Sequence, residues 1–174
     1  HRDLHSFPTR RSSDLTRVKT RLAYGMQLGS GTWDSLLGLV YWGKTEKWGW
    51  GAQYLATLPL ESENEEGWRY GDKHEGTAWV SYEWKSDLVT SLRLRGETQG
   101  RISGIDPNIY GPGLGANPDN YGGERAEIGV GVNWMPVLGN NLSLELLMPV
   151  YENRNGVQPA HDFSLAFSWR KGFF

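Results

Sequence analysis

Between Lys47 and Leu60 the chain reads KWGWGAQYLATLPL, and the apolar residues recur at every second position. Period two is the period of a strand, because successive side chains point to opposite faces. Trp48, Trp50, Ala52, Tyr54, Ala56 and Leu58 fall on one face, and Gly49, Gly51, Gln53, Leu55 and Thr57 on the other. Trp48 to Leu58 is eleven residues. A strand of about 9–11 residues, tilted, crosses a bilayer, whereas a strand of a soluble protein is typically about 5–6. Length and period together point to an all-β fold of long strands.

The same pattern predicts strands near 34–44, 47–59, 73–85, 88–103, 124–136, 141–151 and 162–173. The fourth run assigns the faces. Leu88, Thr90, Leu92, Leu94, Thr98 and Ile102 lie on one side, and Ser91, Arg93, Arg95, Glu97, Gln99 and Arg101 on the other. An Arg facing lipid at the bilayer midplane costs about 2–4 kcal/mol, so the arginine side must see water. The fifth run sets Ala126, Ile128, Val130, Val132 and Trp134 against Arg125, Glu127 and Asn133. The sixth sends Leu142, Leu144, Leu146, Met148 and Val150 outward and Glu145 inward.

Connector lengths alternate. Thr45-Glu46, Ser86-Asp87 and Leu138–Asn140 are tight, while 60–72, 104–123 and 152–161 are long and rich in Gly, Pro, Asn, Asp or Glu. Tight periplasmic turns and long extracellular loops characterise outer-membrane barrels. Pairing the first hairpin across Thr45-Glu46 sets Tyr41 opposite Trp50. Tyr41, Trp48, Trp50, Tyr82, Trp84, Trp134, Trp169 and Phe173 then gather at the tight-turn ends of the apolar rows, as an aromatic girdle at one membrane interface does. The expected fold is an antiparallel up-and-down transmembrane β-barrel, partial at about seven strands over 34–174, with 16–33 as an extracellular entry segment. Bacterial single-chain barrels have even strand counts, so the first strand's partner is expected among N-terminal strands of the same protein.

Composition agrees without deciding. The 174 residues have 38% hydrophobic content and a mean hydropathy of -0.56, and no run approaches the ~18 apolar residues of a membrane helix. A barrel's alternation also averages to hydrophilic, and nine Trp, eight Tyr and 23 Gly suit one. There is no Cys, so there is no disulfide framework or thiolate metal site. A net charge of -2 gives no basic footprint for nucleic acid. Residues 1–15, HRDLHSFPTRRSSDL, lack the 7–15-residue apolar stretch of a signal peptide. Ser6–Leu15 resembles a translated sequencing-library adapter, so this leader is set aside as non-native and native sequence is expected upstream.

The runs MQLGSGTWDSLLGLVYWG, WGWGAQ, YGDKHEGTAWVSYEW, SLRLRGETQGRISGIDP, NPDNYGGERAEIGVGVNW and FSLAFSWRKGF follow one another over roughly 22–173. In that order they resemble the C-terminal half of an uncharacterised family of bacterial outer-membrane barrels labelled transporter-like. That family is similar to the group named after a putative meta-pathway of phenol degradation. The resemblance implies the outer membrane of a Gram-negative bacterium, a lipid bilayer as surroundings, and a terminal aromatic, matched here by Phe173, read by barrel-assembly machinery. It implies no established solute, and no cofactor is expected.

Glu75, Glu83, Arg93, Arg95, Glu97, Gln99, Arg101, Arg125, Glu127 and Glu145 are candidates to line a lumen. They could set ion preference or brace the wall as mixed-sign ladders. Trp79 is expected across from Arg93 or Arg95, in reach of a cation–π contact. His74 and His161 sit at strand ends without metal-ligand spacing. Asp106, Asn108, Asp119 and Asn120 suit turns better than Ca²⁺. His161, Asp162 and Ser164 lie close in sequence, but no G-x-S-x-G supports a nucleophile. The reading is a non-enzymatic barrel that passes or binds a small solute. The alternatives are a soluble, Trp-rich β-sandwich that binds carbohydrate and an outer-membrane lipid-acting enzyme.

Overall fold

The computed structural model of the chain describes residues 21–109 and 113–172. The adapter-like leader and Phe173 lie outside them. The chain folds as an all-β, antiparallel protein. Seven strands form one meander, β1 (Asp34–Lys44), β2 (Trp48–Pro59), β4 (Lys73–Lys85), β5 (Leu88–Gln99), β7 (Gly123–Val137), β8 (Asn140–Arg154) and β9 (Ser164–Lys171), each hydrogen-bonded to the next. Two further strands, β3 (Trp68–Arg69) and β6 (Ser103–Gly104), pair in a small second sheet. The strand order of the large sheet is linear and the sheet is open, with β1 and β9 at its edges. A meander of seven strands leaves both edge strands running the same way, from the long-loop end to the tight-turn end.

Several sequence expectations are corrected. In the first hairpin Tyr41 pairs with Ala52 and Trp50 with Gly43. The turn is longer than Thr45-Glu46, closed by Thr45 N–H donating to Trp48 O at 2.7 Å, so register slides by two residues. A two-residue slide keeps every side chain on its face. It sets the Trp50 ring over Gly43, where a Cβ would approach Cε2 to 2.6 Å. The fourth strand ends at Gln99 rather than near 103. Arg101 therefore leaves the polar face and meets Asp119 of the following loop at 3.7 Å. Ile102, expected outward, is 7% exposed inside a loop cluster.

β8 runs to Arg154, past the expected end at 151. A bulge makes this possible: Ala126 pairs with Tyr151 and Glu127 with Pro149, so Val150 is the extra residue. Pro149 lies beyond the last β8–β9 pair, Leu147 with Ser164. There β8 is an edge, where a missing N–H is tolerated. The bulge turns Glu152 and Arg154 onto the charged face.

The long loops are not independent. Residues 21–33 join 60–72, 100–109 and 113–122 around Tyr24, Trp68 and Ile102. Tyr24 and Trp68 are fully buried, with ring centroids 4.8 Å apart edge to face. This cluster at the long-loop end holds most of the buried apolar side chains among the described residues.

Candidate functional site

Alternation along each strand divides the large sheet into two faces, and their exposure is inverted relative to a soluble sheet. In β5 Leu92 and Leu94 are 43% and 56% exposed. Arg93, Arg95, Glu97 and Gln99, on the opposite face, are only partly exposed. In β7 Val130 and Val132 are exposed while Glu127 is 3% exposed. The apolar face continues through Trp48, Trp50, Val80, Trp134, Leu144, Leu165, Phe167 and Trp169, each at least a third exposed.

The polar face carries a lattice of charge. Glu75 pairs directly with Glu97 across β4 and β5, a like-charge contact that destabilises unless neutralised. Lys73 neutralises it from one side, with Nζ 3.2 Å from Glu75 and 3.7 Å from Glu97. Arg95 does so from the other, its Nη2 donating to Glu75 Oε1 at 2.8 Å and Glu97 Oε2 at 3.3 Å. On the next strand Arg95 faces Glu127 and Glu97 faces Arg125. Arg95 Nη1 is 3.5 Å from Glu127 Oε2, and Arg125 reaches Glu97 at 3.5 Å and Glu127 at 3.8 Å. Three cations and three carboxylates thus form one neutral network. Glu83 is engaged by Lys44 at 3.3 Å, and Glu152 by Arg154. Sequence reading passed over Lys73, Lys44, Glu152 and Arg154. The first two end their strands, and the last two sat in a predicted loop.

Trp79 does pair with Arg93 in register, yet the two side chains diverge. The Trp79 indole crosses toward β2 and fills the space over Gly51, where a Cβ would come within 2.3 Å of its ring. Arg93 crosses β7 instead, and its Nε lies 2.7 Å from Glu145 Oε1 on β8. The expected cation–π pair does not form. Gln99 lines a small cavity near the long-loop end with Glu97, Arg125 and Arg154.

On the apolar face at the tight-turn end, Trp48 meets Tyr82, and Tyr82 meets Trp84, both at 4.8 Å edge to face. Trp84 donates to Thr90 Oγ1 and Trp169 to Asn140 Oδ1. Trp134 pairs with Leu88 and Leu142. Tyr41 and Trp50 lie on the same face. At the opposite end Tyr54 hydrogen-bonds His74 at 2.7 Å, and the Tyr151 hydroxyl donates to Glu124 at 3.4 Å. Tyr151 joins this row because the bulge at Val150 moves it onto the apolar face, where plain alternation would have placed Val150.

The loop candidates settle into turn and anchoring roles. Asp106 is 1% exposed; it accepts from Asn108 N–H at 2.8 Å and from Arg21 at 3.2 Å. Asn120 accepts from Val157 N–H, and Asp119 takes Arg101. Burial raises the Tyr70 phenol above its ordinary pKa, reinforced by neighbouring Tyr121. His161 Nε2 is 2.6 Å from Ser164 Oγ.

No family model, no curated protein and no solved structure matches the chain.

Proposed function

We propose that the large sheet is part of an outer-membrane β-barrel whose apolar face meets lipid and whose charged face lines a lumen that passes or binds a small solute. The observation that carries this reading is the inverted burial. Leu92, Leu94, Val130 and Val132 stand open while Glu127 is 3% exposed. A monomeric soluble protein rarely exposes an apolar patch beyond a few hundred Å², and here a whole sheet face is apolar. Lipid is the environment in which that arrangement is stable. Strand lengths of 8 to 15 residues bracket the membrane-crossing length of about 9–11. Aromatic rows at the tight-turn end and Tyr54, His74 and Tyr151 at the other suit two interfaces.

An open edge cannot stand in hydrocarbon, where each unpaired backbone group costs several kcal/mol. Further strands of the same protein therefore close the barrel between β9 and β1. Because both edges run the same way, an antiparallel closure takes an odd number of them. The neutral Lys73–Glu127 network braces the wall more than it filters ions, since its charges are already paired. The protein as the cell assembles it, reconstituted in planar bilayers, should give stepwise conductance. Arg95→Glu should destabilise it more than alter ion preference. Membrane insertion without any conductance would replace the passage reading with a closed or purely binding barrel. Recovery only in the water-soluble fraction would overturn the barrel itself.

A further inference from the structure

Arg95 and Arg125 each meet two or more carboxylates on the polar face, whereas Arg93 meets one, Glu145, through Nε alone. Its Nε lies 2.7 Å from Glu145, yet the N–H is not aimed at the carboxylate and makes no hydrogen bond. Among the described residues neither Nη of Arg93 has a partner. The side chain can reach across β7 because the residues beneath it are small. Gly129 stands opposite Arg93, and Gly131 opposite Ser91. A Cβ on Gly129 would press on Leu147 at 3.1 Å.

The guanidinium borders a cavity of about 280 Å³. Leu55 of β2 and Leu147 of β8 line it as well, with Gln53 and Thr77, and the charged residues Glu75, Arg95 and Glu145 close its sides. Its volume is near the lower end of ligand sites, about 300 Å³, so the occupant is small. Open donors face it: the Arg93 Nη groups and the Gln53 amide nitrogen have no partners among the described residues, beside the Glu145 carboxylate. Thr77 already spends its hydroxyl proton on Leu94 O at 3.1 Å.

We propose that this cavity binds a small organic carboxylate, with Arg93 holding the carboxylate and Leu55 and Leu147 flanking an apolar body. A guanidinium presents two parallel N–H donors in the spacing of a carboxylate's oxygens. Partial shielding from water strengthens that contact relative to one at an open surface. Glu145 lies against the Nε side as an ion partner and leaves both Nη groups to the ligand. The proposal rests on the solute-binding reading above, but not on conduction.

Calorimetric titration of the protein in detergent micelles with hexanoate tests it. One hexanoate should bind per chain, and hexylammonium should not. Arg93→Gln should weaken binding roughly tenfold to a hundredfold, and Arg93→Lys should weaken it less. Arg170→Gln, on the same face of edge strand β9, should bind as the unaltered protein does. Absence of hexanoate binding overturns the proposal. So does equal binding of hexylammonium, or unchanged affinity in Arg93→Gln. If Arg93→Gln loses its strand signal in circular dichroism, Arg93→Lys decides: unaltered affinity there sinks the proposal. Conductance is read separately, so a non-conducting protein that binds hexanoate removes the passage reading and leaves this site standing.

Discussion

Glu127 is 3% exposed, while Glu145, on the same face, keeps 27% of its side chain open. Both have an arginine, but their costs differ. Glu127 faces two guanidinium groups, Arg95 at 3.5 Å and Arg125 at 3.8 Å, and its Oε2 accepts no hydrogen bond. Deleting the carboxylate leaves Lys73, Arg95 and Arg125 facing only Glu75 and Glu97, one excess positive charge in a crowded wall. Breaking a buried pair in this way costs about 3–5 kcal/mol, whereas a half-open pair is worth about 0–1 kcal/mol. Glu127→Ala should therefore lower the urea midpoint of the micelle-bound protein far more than Glu145→Ala. Equal shifts would mean that water reaches the network freely and that burial does not set its strength.

At the scale of elements, β1 and the loop cluster depart from the simple alternation. β1 exposes Leu37, Leu39 and Tyr41 on one face and Leu36, Val40 and Trp42 on the other. Its polar-side row has no charge between Asp34 and Lys44. The existence of all seven long strands was legible, and so were the faces of those that alternate, because period two is a backbone property that such a run states for itself. What was not legible is what neighbours impose. Nothing local in VYENR shows that Val150 bulges and turns Glu152 and Arg154 inward. Register at the first hairpin followed the turn closed by Thr45 and Trp48, which the sequence does not specify. The loop cluster draws Tyr24, Trp68, and Ile102 with Asp106 from three separated stretches, so no window of sequence contains it.

Asp106 is the polar centre of that cluster, accepting from Asn108 N–H and Arg21, with its own N–H donating to Tyr24 Oη at 3.1 Å. Arg21 also pairs with Glu66. Asp106→Ala should loosen the loops by about 1–3 kcal/mol, the cost of a lost buried acceptor, without melting the large sheet. Hydrogen exchange should speed at Arg21–Met26 and Ser103–Ile109 while β5 and β7 amides keep their protection. Loss of protection throughout β5 would show that the cluster and the sheet unfold as one unit.

For the whole molecule, the decisive contrast is between two tryptophans on opposite faces of one sheet. Trp134 is 46% exposed on the apolar face near the tight turns, while Trp79 lies on the charged face with its indole over Gly51. A soluble sandwich would pack the apolar face against a second layer and leave neither ring in contact with lipid. A membrane barrel places Trp134 among lipid chains near the interface, where aromatic residues concentrate, and keeps Trp79 away from them. Lipids carrying bromine on the upper part of the acyl chain quench only indoles they touch. In the protein reconstituted from the form the cell assembles, part of the tryptophan emission should be quenched by such lipids. Trp134→Phe should shrink the quenched fraction, and Trp79→Phe should leave the quenched amount intact while removing unquenched emission. Quenching that follows Trp79 would put lipid on the charged face and reverse the orientation argued from Arg93, Arg95 and Glu127.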